Sequence, residues 1–208
     1  MTRRTSEHSF DTPHGESVAR LFAASDPRGA LVLGHGAGGG VEAPDLVAVT
    51  EAAVAEEFSV ALVLQPYRVA GKRSSPVPAK LDESWAAVVG ELGSGELAGL
   101  PLVTGGRSAG ARVACRTATA TGSVGVLCLA FPLQPPARAG KPPGPSRLAE
   151  LEQVEVPVLI VQGENDRFGM PEPAPGRDVV PVAGDHGLKK DVPAVAQAAA
   201  RWLSALAA

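Results

Sequence analysis

The sequence has few aromatic residues and few cysteines. Aromatic side chains make up 4% of the 208 residues, and the only cysteines are Cys115 and Cys128. So few rings argue against an aromatic-rich recognition surface and favour helices packed on a sheet through small side chains. Two cysteines make no disulfide framework and show no metal spacing. We therefore expect buried thiols, as in a protein of the reducing cytoplasm.

Strong charge and long apolar runs are also missing. The formal net charge is −3 and the basic residues are scattered, so we expect no nucleic-acid partner and no binding to an anionic membrane. No apolar run approaches the ~20 residues of a membrane-spanning helix. No apolar segment follows Arg3 and Arg4, so we expect no signal peptide. These features predict a cytoplasmic protein.

What the chain does contain is an alternation of short apolar strands with segments of helical spacing. The predicted strands cover residues 6–11, 16–22, 30–33, 59–64, 124–130, 156–161 and 178–182, with one more ending at glycines 105 and 106. The predicted helices cover 44–58, 80–92, 147–153 and 192–206, with one more after Ser108; residues 65–73 and the proline-rich segment 131–144 are predicted to be irregular. We predict a single α/β domain over 1–208, with a doubly wound, mostly parallel sheet and an N-terminal antiparallel hairpin.

The most informative stretch runs from Leu102 to Arg112. Its centre, Gly106-Arg107-Ser108-Ala109-Gly110, fits the G-x-S-x-G pattern of a nucleophile elbow, in which a tight strand-to-helix turn presents a serine. Glycines on both sides of the serine leave room for such a turn. The pattern is weak evidence alone, because a glycine-rich chain produces it by chance, and Ser108 could instead be a simple helix N-cap.

A serine nucleophile needs a base, and the base needs an orienting carboxylate. Asp166 follows the predicted strand 156–161 and His186 follows 178–182, so both fall where open α/β sheets carry their sites. Glu164 and Asp185 are alternative acids, and an incidental loop position remains an alternative for His186. Of the other histidines, His35 sits in a glycine loop, where we expect it to brace backbone.

The oxyanion formed during attack needs two preorganised donors. We expect the backbone N–H groups of Ala37 and Ala109 to supply them. Three residues that leave strands on the same rim are candidate substrate contacts, with surface or packing roles as alternatives: Tyr67, Arg68 and Phe131.

Together these motifs resemble the α/β-hydrolases, and specifically the small, lidless, dienelactone-hydrolase-like group. The resemblance rests on residues 35–40, 65–68, 105–110, 131–133, 162–166 and 185–186 and covers about residues 6–207. It implies Ser108 as nucleophile, His186 as base and Asp166 as acid. Dienelactone hydrolases proper have a cysteine where this chain has Ser108, which favours an ordinary esterase. The same residues also resemble a testis-expressed eukaryotic protein and a non-catalytic subunit of a chromatin complex.

Two other functions are alternatives to a catalytic α/β-hydrolase. The run from Gly34 to Gly39 fits G-x-G-x-x-G after a strand, but the next strand ends in Gln65 where a dinucleotide site requires an acid. A hydrolase fold could also serve as a non-catalytic binding or scaffold protein.

The function predicted from the sequence is a serine hydrolase that cleaves small carboxylic esters or thioesters. Only about 25 mostly Pro- and Gly-rich residues separate the predicted strands 124–130 and 156–161, so we expect no cap domain and an open pocket. We expect a small-molecule ester substrate, no metal or other cofactor, and a monomer or homodimer.

Overall fold

The computed structural model describes residues 4–137, 140 and 142–207. Its strands are β1 (Arg4–Thr12), β2 (Gly15–Ala23), β3 (Gly29–Gly34), β4 (Phe58–Leu64), β5 (Leu102–Arg107), β6 (Gly125–Leu129), β7 (Val158–Gly163) and β8 (Arg177–Val182). They form one sheet in the order β1-β2-β4-β3-β5-β6-β7-β8. That the whole chain 1–208 is one domain stays a prediction.

The sheet is parallel except at its N-terminal edge. β1 pairs with β2 and β2 pairs with β4 in antiparallel register, whereas all other neighbouring strands run parallel. The predicted fold class is therefore confirmed, including the N-terminal antiparallel hairpin.

Helices cover both faces of the sheet. They are α1 (Pro44–Ala55), α2 (Pro66–Val69), α3 (Pro78–Ser94), α4 (Ala109–Thr117), α5 (Leu148–Glu152) and α6 (Val192–Leu206). Along β3, Leu31 and Leu33 pack with α1 and α6, while Ala30 and Val32 pack with α3 on the opposite face. Burial on both faces explains why this strand is apolar throughout rather than alternating.

Two local predictions differ from the structure. Residues 66–69 form the short helix α2 inside the predicted loop 65–73, with Pro66 in the first turn. A single helical turn is too short to show apolar periodicity, although its proline is typical of a helix start. Phe58 was predicted to end a helix but begins β4, because α1 ends at Ala55 and the chain turns at Glu57, which has a φ of 63°.

The described residues between β6 and β7 form no folded cover over the carboxyl edge of the sheet. In the described part of this segment, α5 is the one helix and there is no strand. Residues 138, 139 and 141 of the predicted irregular segment lie outside the described residues. Within the described residues, every helix is too short or too polar to span a bilayer.

Candidate active site

Ser108 occupies the sharp turn between β5 and α4. Its φ of 52° and ψ of −104° place a non-glycine residue in a strained backbone conformation. A Cβ on Gly106 would clash with the carbonyl oxygen of Gly34, and a Cβ on Gly110 would lie 2.5 Å from the same atom. The two glycines therefore let the turn press against the end of β3. The Ser108 side chain makes no capping hydrogen bond to α4, which argues against a simple N-cap role.

A continuous path of hydrogen bonds runs from Ser108 through His186 to Asp166. The Nε2 atom of His186 lies 2.9 Å from Ser108 Oγ, and its Nδ1 atom lies 2.7 Å from Asp166 Oδ2. An ionised carboxylate only accepts hydrogen bonds, so Nδ1 carries the proton and Nε2 is free to accept from the Ser108 hydroxyl. This arrangement can remove a proton from the serine.

Asp166 is held by more than His186. Its side chain is fully buried. Oδ1 accepts a hydrogen bond from the Phe168 N–H at 2.9 Å, and Oδ2 accepts a second from Gln162 Nε2 at 2.9 Å. The Phe168 ring also packs against the His186 ring, with 4.5 Å between their centroids. The carboxylate is therefore fixed in position and the imidazole is supported on one face.

The alternative acids lie elsewhere. Glu164 and Asp185 are both exposed. Asp185 Oδ1 accepts a hydrogen bond from the Gly187 N–H at 2.8 Å and so shapes the loop that carries His186. The acid in contact with His186 is Asp166.

The glycine loop after β3 is braced by His35 and Tyr67. His35 Nε2 accepts from the Gln65 N–H at 3.1 Å, so Nδ1 carries the proton and donates to Gly36 O at 2.8 Å. Burial lowers the pKa of His35 and keeps the ring neutral. Tyr67 Oη donates to Ala37 O at 2.8 Å. The predicted bracing role of His35 is confirmed, and Ala37 is held in place.

An open cleft of about 590 Å³ lies over the serine. Its walls include the glycine loop 36–40, Ser108, His186, Arg167 and Phe168. Ala37 lies in this wall, as predicted for an oxyanion donor. The cleft therefore brings the proposed nucleophile and base together with the loop.

The three predicted substrate contacts do not line this cleft in the described structure. Tyr67 is buried and supports the loop from behind. Phe131 is fully buried in the core with α4 and β7, beyond a turn at Ala130 whose φ is 51°. Arg68 Nη1 donates to Lys72 O at 3.3 Å within its own loop. Their placement favours packing and loop-shaping roles over direct contact with a substrate in this cleft.

The contacts made by Arg107 were not predicted from the sequence. Its Nε donates to Asp45 Oδ2 at 3.0 Å, and its Nη2 donates to the His186 carbonyl at 2.9 Å. Asp45 lies in the first turn of α1 and its side chain is fully buried. Burial raises the pKa of Asp45, although the adjacent Arg107 guanidinium lowers it. The available signal was Asp45 itself, an aspartate in the first turn of a mostly apolar helix.

The described residues form neither a metal cluster nor the strand-to-helix glycine turn of a dinucleotide site. Among the described side chains, no three His, Cys, Asp or Glu residues come together as a metal site would require. Residues 35–43 separate β3 from α1, so the glycines do not open directly into a helix as in a dinucleotide fingerprint.

A family model described as an alpha/beta hydrolase domain matches residues 27–192. The chain belongs to the alpha/beta hydrolase family. The resemblance drawn from the sequence motifs is thereby confirmed at the level of the superfamily, and this membership supports a hydrolase. A search of curated proteins gave no matching sequence.

Solved structures share the fold at low sequence identity. An alpha-beta serine hydrolase homologue from Coxiella burnetii superposes with a TM-score of 0.76 at 13% identity, covering 98% of this chain and 99% of that one. A serine hydrolase without a lid from Xanthomonas campestris gives 0.72 at 15%, covering 97% and 96%. A dienelactone hydrolase from Anabaena variabilis gives 0.75 at 16%, covering 97% of each chain. The chain is similar to these proteins in fold.

Proposed function

We propose that this protein is a serine hydrolase that cleaves small carboxylic esters or thioesters through Ser108, His186 and Asp166. The observation that carries the proposal is the hydrogen-bond path from Ser108 Oγ through both ring nitrogens of His186 to the buried Asp166 carboxylate. The strained backbone at Ser108 supports it, since such strain is concentrated at functional sites.

The reaction would proceed in two halves. Ser108 Oγ attacks the ester carbonyl while His186 Nε2 takes its proton, and Asp166 stabilises the resulting imidazolium. Collapse of the tetrahedral intermediate breaks the bond to the leaving alcohol or thiol, which receives the proton from His186. Water then attacks the acyl-serine with His186 again as base, releasing the carboxylic acid and restoring Ser108.

The developing oxyanion would be stabilised by the N–H groups of Ala109 and Ala37. Ala109 is the first residue of α4, where an N–H has no acceptor within its own helix. Ala37 lies in the cleft wall, and among the described residues no acceptor takes its N–H. The peptide that carries this N–H is held through its Gly36 carbonyl, which accepts from His35 Nδ1, and Tyr67 holds the next peptide through the Ala37 carbonyl. The donor is therefore preorganised, as oxyanion stabilisation requires.

The open cleft suits small substrates. The described residues between β6 and β7 build no cap over Ser108, so little surface is available to enclose a long acyl chain. Small acyl esters or thioesters therefore remain our proposal. A cytoplasmic location and a monomeric or homodimeric state stay predictions.

The proposal is tested by exposing the purified protein to a fluorophosphonate probe and locating adducts by mass spectrometry. We expect a single adduct on Ser108 that is lost in Ser108→Ala and His186→Ala, while the exposed-serine variant Ser94→Ala labels normally. Heat-denatured protein should not label. An unlabelled, folded wild-type protein would contradict the proposal and favour a non-catalytic binding or scaffold protein.

A further inference from the structure

We propose that Arg107, held by Asp45, is a positioning residue that fixes the main chain at His186 and so aligns its ring with Ser108. The inference rests on the proposed hydrolase function. It assigns a role to Arg107, the variable residue before Ser108 in the nucleophile motif, whose side chain lies in the wall of the cleft and binds Asp45 and the His186 carbonyl.

The Arg107 guanidinium connects three parts of the site. The backbone of Arg107 ends β5 directly before Ser108. In its side chain, Nε donates to Asp45 at the start of α1, and Nη2 donates to the His186 carbonyl. A planar guanidinium presents donors in fixed directions. With Nε bound to a buried carboxylate, the direction of Nη2 is determined, and so is the position of the carbonyl it binds.

The main chain of His186 depends on this contact. No hydrogen bond joins the backbone of His186 to another backbone group in the described residues. The neighbouring backbone bonds come from Gly184 O, which accepts from Asn165, and from Asp185 O, which accepts from Leu188. His186 follows both of these residues. The peptide that contains its carbonyl is also held within the loop by the bond from Gly187 N–H to Asp185 Oδ1, whereas Arg107 ties that peptide to the strand that presents the serine.

The Asp45–Arg107 ion pair is not well explained by a contribution to the stability of the fold. Burial raises the pKa of Asp45 despite the neighbouring guanidinium, which means that the fold favours the carboxylate less than water does. Asp45 Oδ1 is buried without a hydrogen-bond partner among the described residues, a further cost. Buried ion pairs often contribute little net stability, because desolvation offsets their attraction. We therefore explain the Asp45–Arg107 pair by its effect on the position of His186 rather than by a contribution to stability.

Small displacements at this position would matter. The hydrogen bond between His186 Nε2 and Ser108 Oγ is 2.9 Å, and a shift of about 1 Å in a reacting group can reduce a rate by about 100-fold. Losing Arg107 should therefore slow attack by Ser108 rather than weaken binding of the probe.

The test compares fluorophosphonate labelling of Arg107→Met, Arg107→Lys and the wild type, separating the limiting labelling rate from the probe concentration at half-maximal rate. We expect the limiting rate to fall about 10- to 100-fold in Arg107→Met, with the half-maximal concentration little changed. Arg107→Lys should also be slow by about tenfold, because one ammonium cannot reproduce two bonds in fixed directions. If Arg107→Met does not fold, Arg107→Lys decides the question.

Arg116→Met is the matched control. Arg116 likewise pairs with an aspartate, here with both Nε and Nη2 on Asp82, and is similarly half-buried, but it contacts α3 and α5 rather than His186. This variant should label at the wild-type rate. Added ethylguanidinium should partly restore labelling of the truncated variant Arg107→Ala, which leaves space for it, whereas ethylammonium at equal concentration should not.

Two results would overturn the inference: folded Arg107 variants that label at the wild-type rate, or an equal slowing in Arg116→Met without rescue by ethylguanidinium. Failure of the wild-type protein itself to label would instead refute the proposed function, so the two failures are distinguishable.

Discussion

Gln162 Nε2 lies 2.9 Å from Asp166 Oδ2, the same carboxylate oxygen that receives the hydrogen bond from His186 Nδ1. Gln162 is fully buried at the end of β7, and the same amide nitrogen also lies 3.0 Å from Phe131 O and 2.8 Å from Gly169 O. The amide therefore joins the end of β6, the loop that carries Asp166 and the proposed acid itself.

Replacing Gln162 should affect both activity and stability. In Gln162→Leu, Asp166 Oδ2, the buried Phe131 O and the half-buried Gly169 O lose the two N–H groups that they share. We therefore expect labelling by a fluorophosphonate to slow by about tenfold, and the free energy of unfolding to fall by about 1–3 kcal/mol. Labelling kinetics and urea denaturation measure the two effects. Gln65→Leu is the control: Gln65 is also buried after a strand but donates to Leu81 O, so its labelling rate should not change. Equal rates in both variants would show that Gln162 does not orient Asp166.

The choice of acid can be tested by neutralising each carboxylate in turn. Asp166→Asn should lower the turnover of a small ester such as p-nitrophenyl acetate by about 10³–10⁴-fold, because an amide no longer favours the productive His186 tautomer. Glu164→Gln and Asp185→Asn change exposed groups that do not contact the His186 ring, and their turnover should stay within about twofold of the wild type. A larger loss in either control than in Asp166→Asn would move the acid role to that residue.

Much of the architecture could be predicted because its signals are local. Apolar runs of strand length and the glycines around Ser108 lie within short windows of sequence. The order of Ser108, Asp166 and His186 along the chain spans many more residues and was recognised because it is the triad order of α/β-hydrolases. Asp166 and His186 were predicted because each follows a strand, and parallel strands place their carboxyl ends on one edge of the sheet.

The supporting contacts could not be predicted in the same way. Arg107 meets Asp45 and His186 across 62 and 79 residues of sequence, and no local pattern encodes such pairings. For Phe131, in contrast, a local pattern predicted a position that the structure does not show. A residue just after a strand was expected on the rim of the cleft, but the turn at Ala130 directs Phe131 into the core. Whether a side chain just after a strand faces the cleft or the core depends on the backbone conformation of the turn, which the local sequence pattern does not specify.

The contact between the serine turn and β3 should tolerate no side chain at Gly106. In Gly106→Ala the new Cβ would meet the backbone of both Gly34 and Gly110, and a backbone clash cannot be relieved by a rotamer change. We expect a loss of more than about 3 kcal/mol in unfolding free energy, or failure to fold. Gly90→Ala is the matched control, because Gly90 lies within α3 and a Cβ there meets nothing within 4 Å. This variant should gain about 0.5–1 kcal/mol. A Gly106→Ala protein as stable as the wild type would contradict the close packing of the turn on β3.

The buried thiol pair should make the protein less stable at alkaline pH. Cys115 Sγ and Cys128 Sγ lie 3.5 Å apart, and the hydrogen bond to Cys115, together with burial, raises the pKa of Cys128 well above its ordinary value. The folded state therefore holds the Cys128 proton more tightly than the unfolded state does. Its contribution to stability is complete below the pKa of an unfolded thiol, about 8.5, and declines as the pH rises above that value.

Urea denaturation between pH 7 and pH 10 measures this effect. Over the upper part of the range, Cys128 should reduce the free energy of unfolding by up to about 1.4 kcal/mol per pH unit. Cys128→Ala should be less stable at pH 7, since it leaves a cavity in a packed core, yet its stability should decline less steeply above pH 8.5. Both thiols should resist Ellman's reagent in the native protein and react after unfolding, because both are buried and out of reach of the reagent in the folded state. Rapid reaction of the native protein, or identical alkaline slopes in the two proteins, would show that Cys128 titrates as an ordinary thiol.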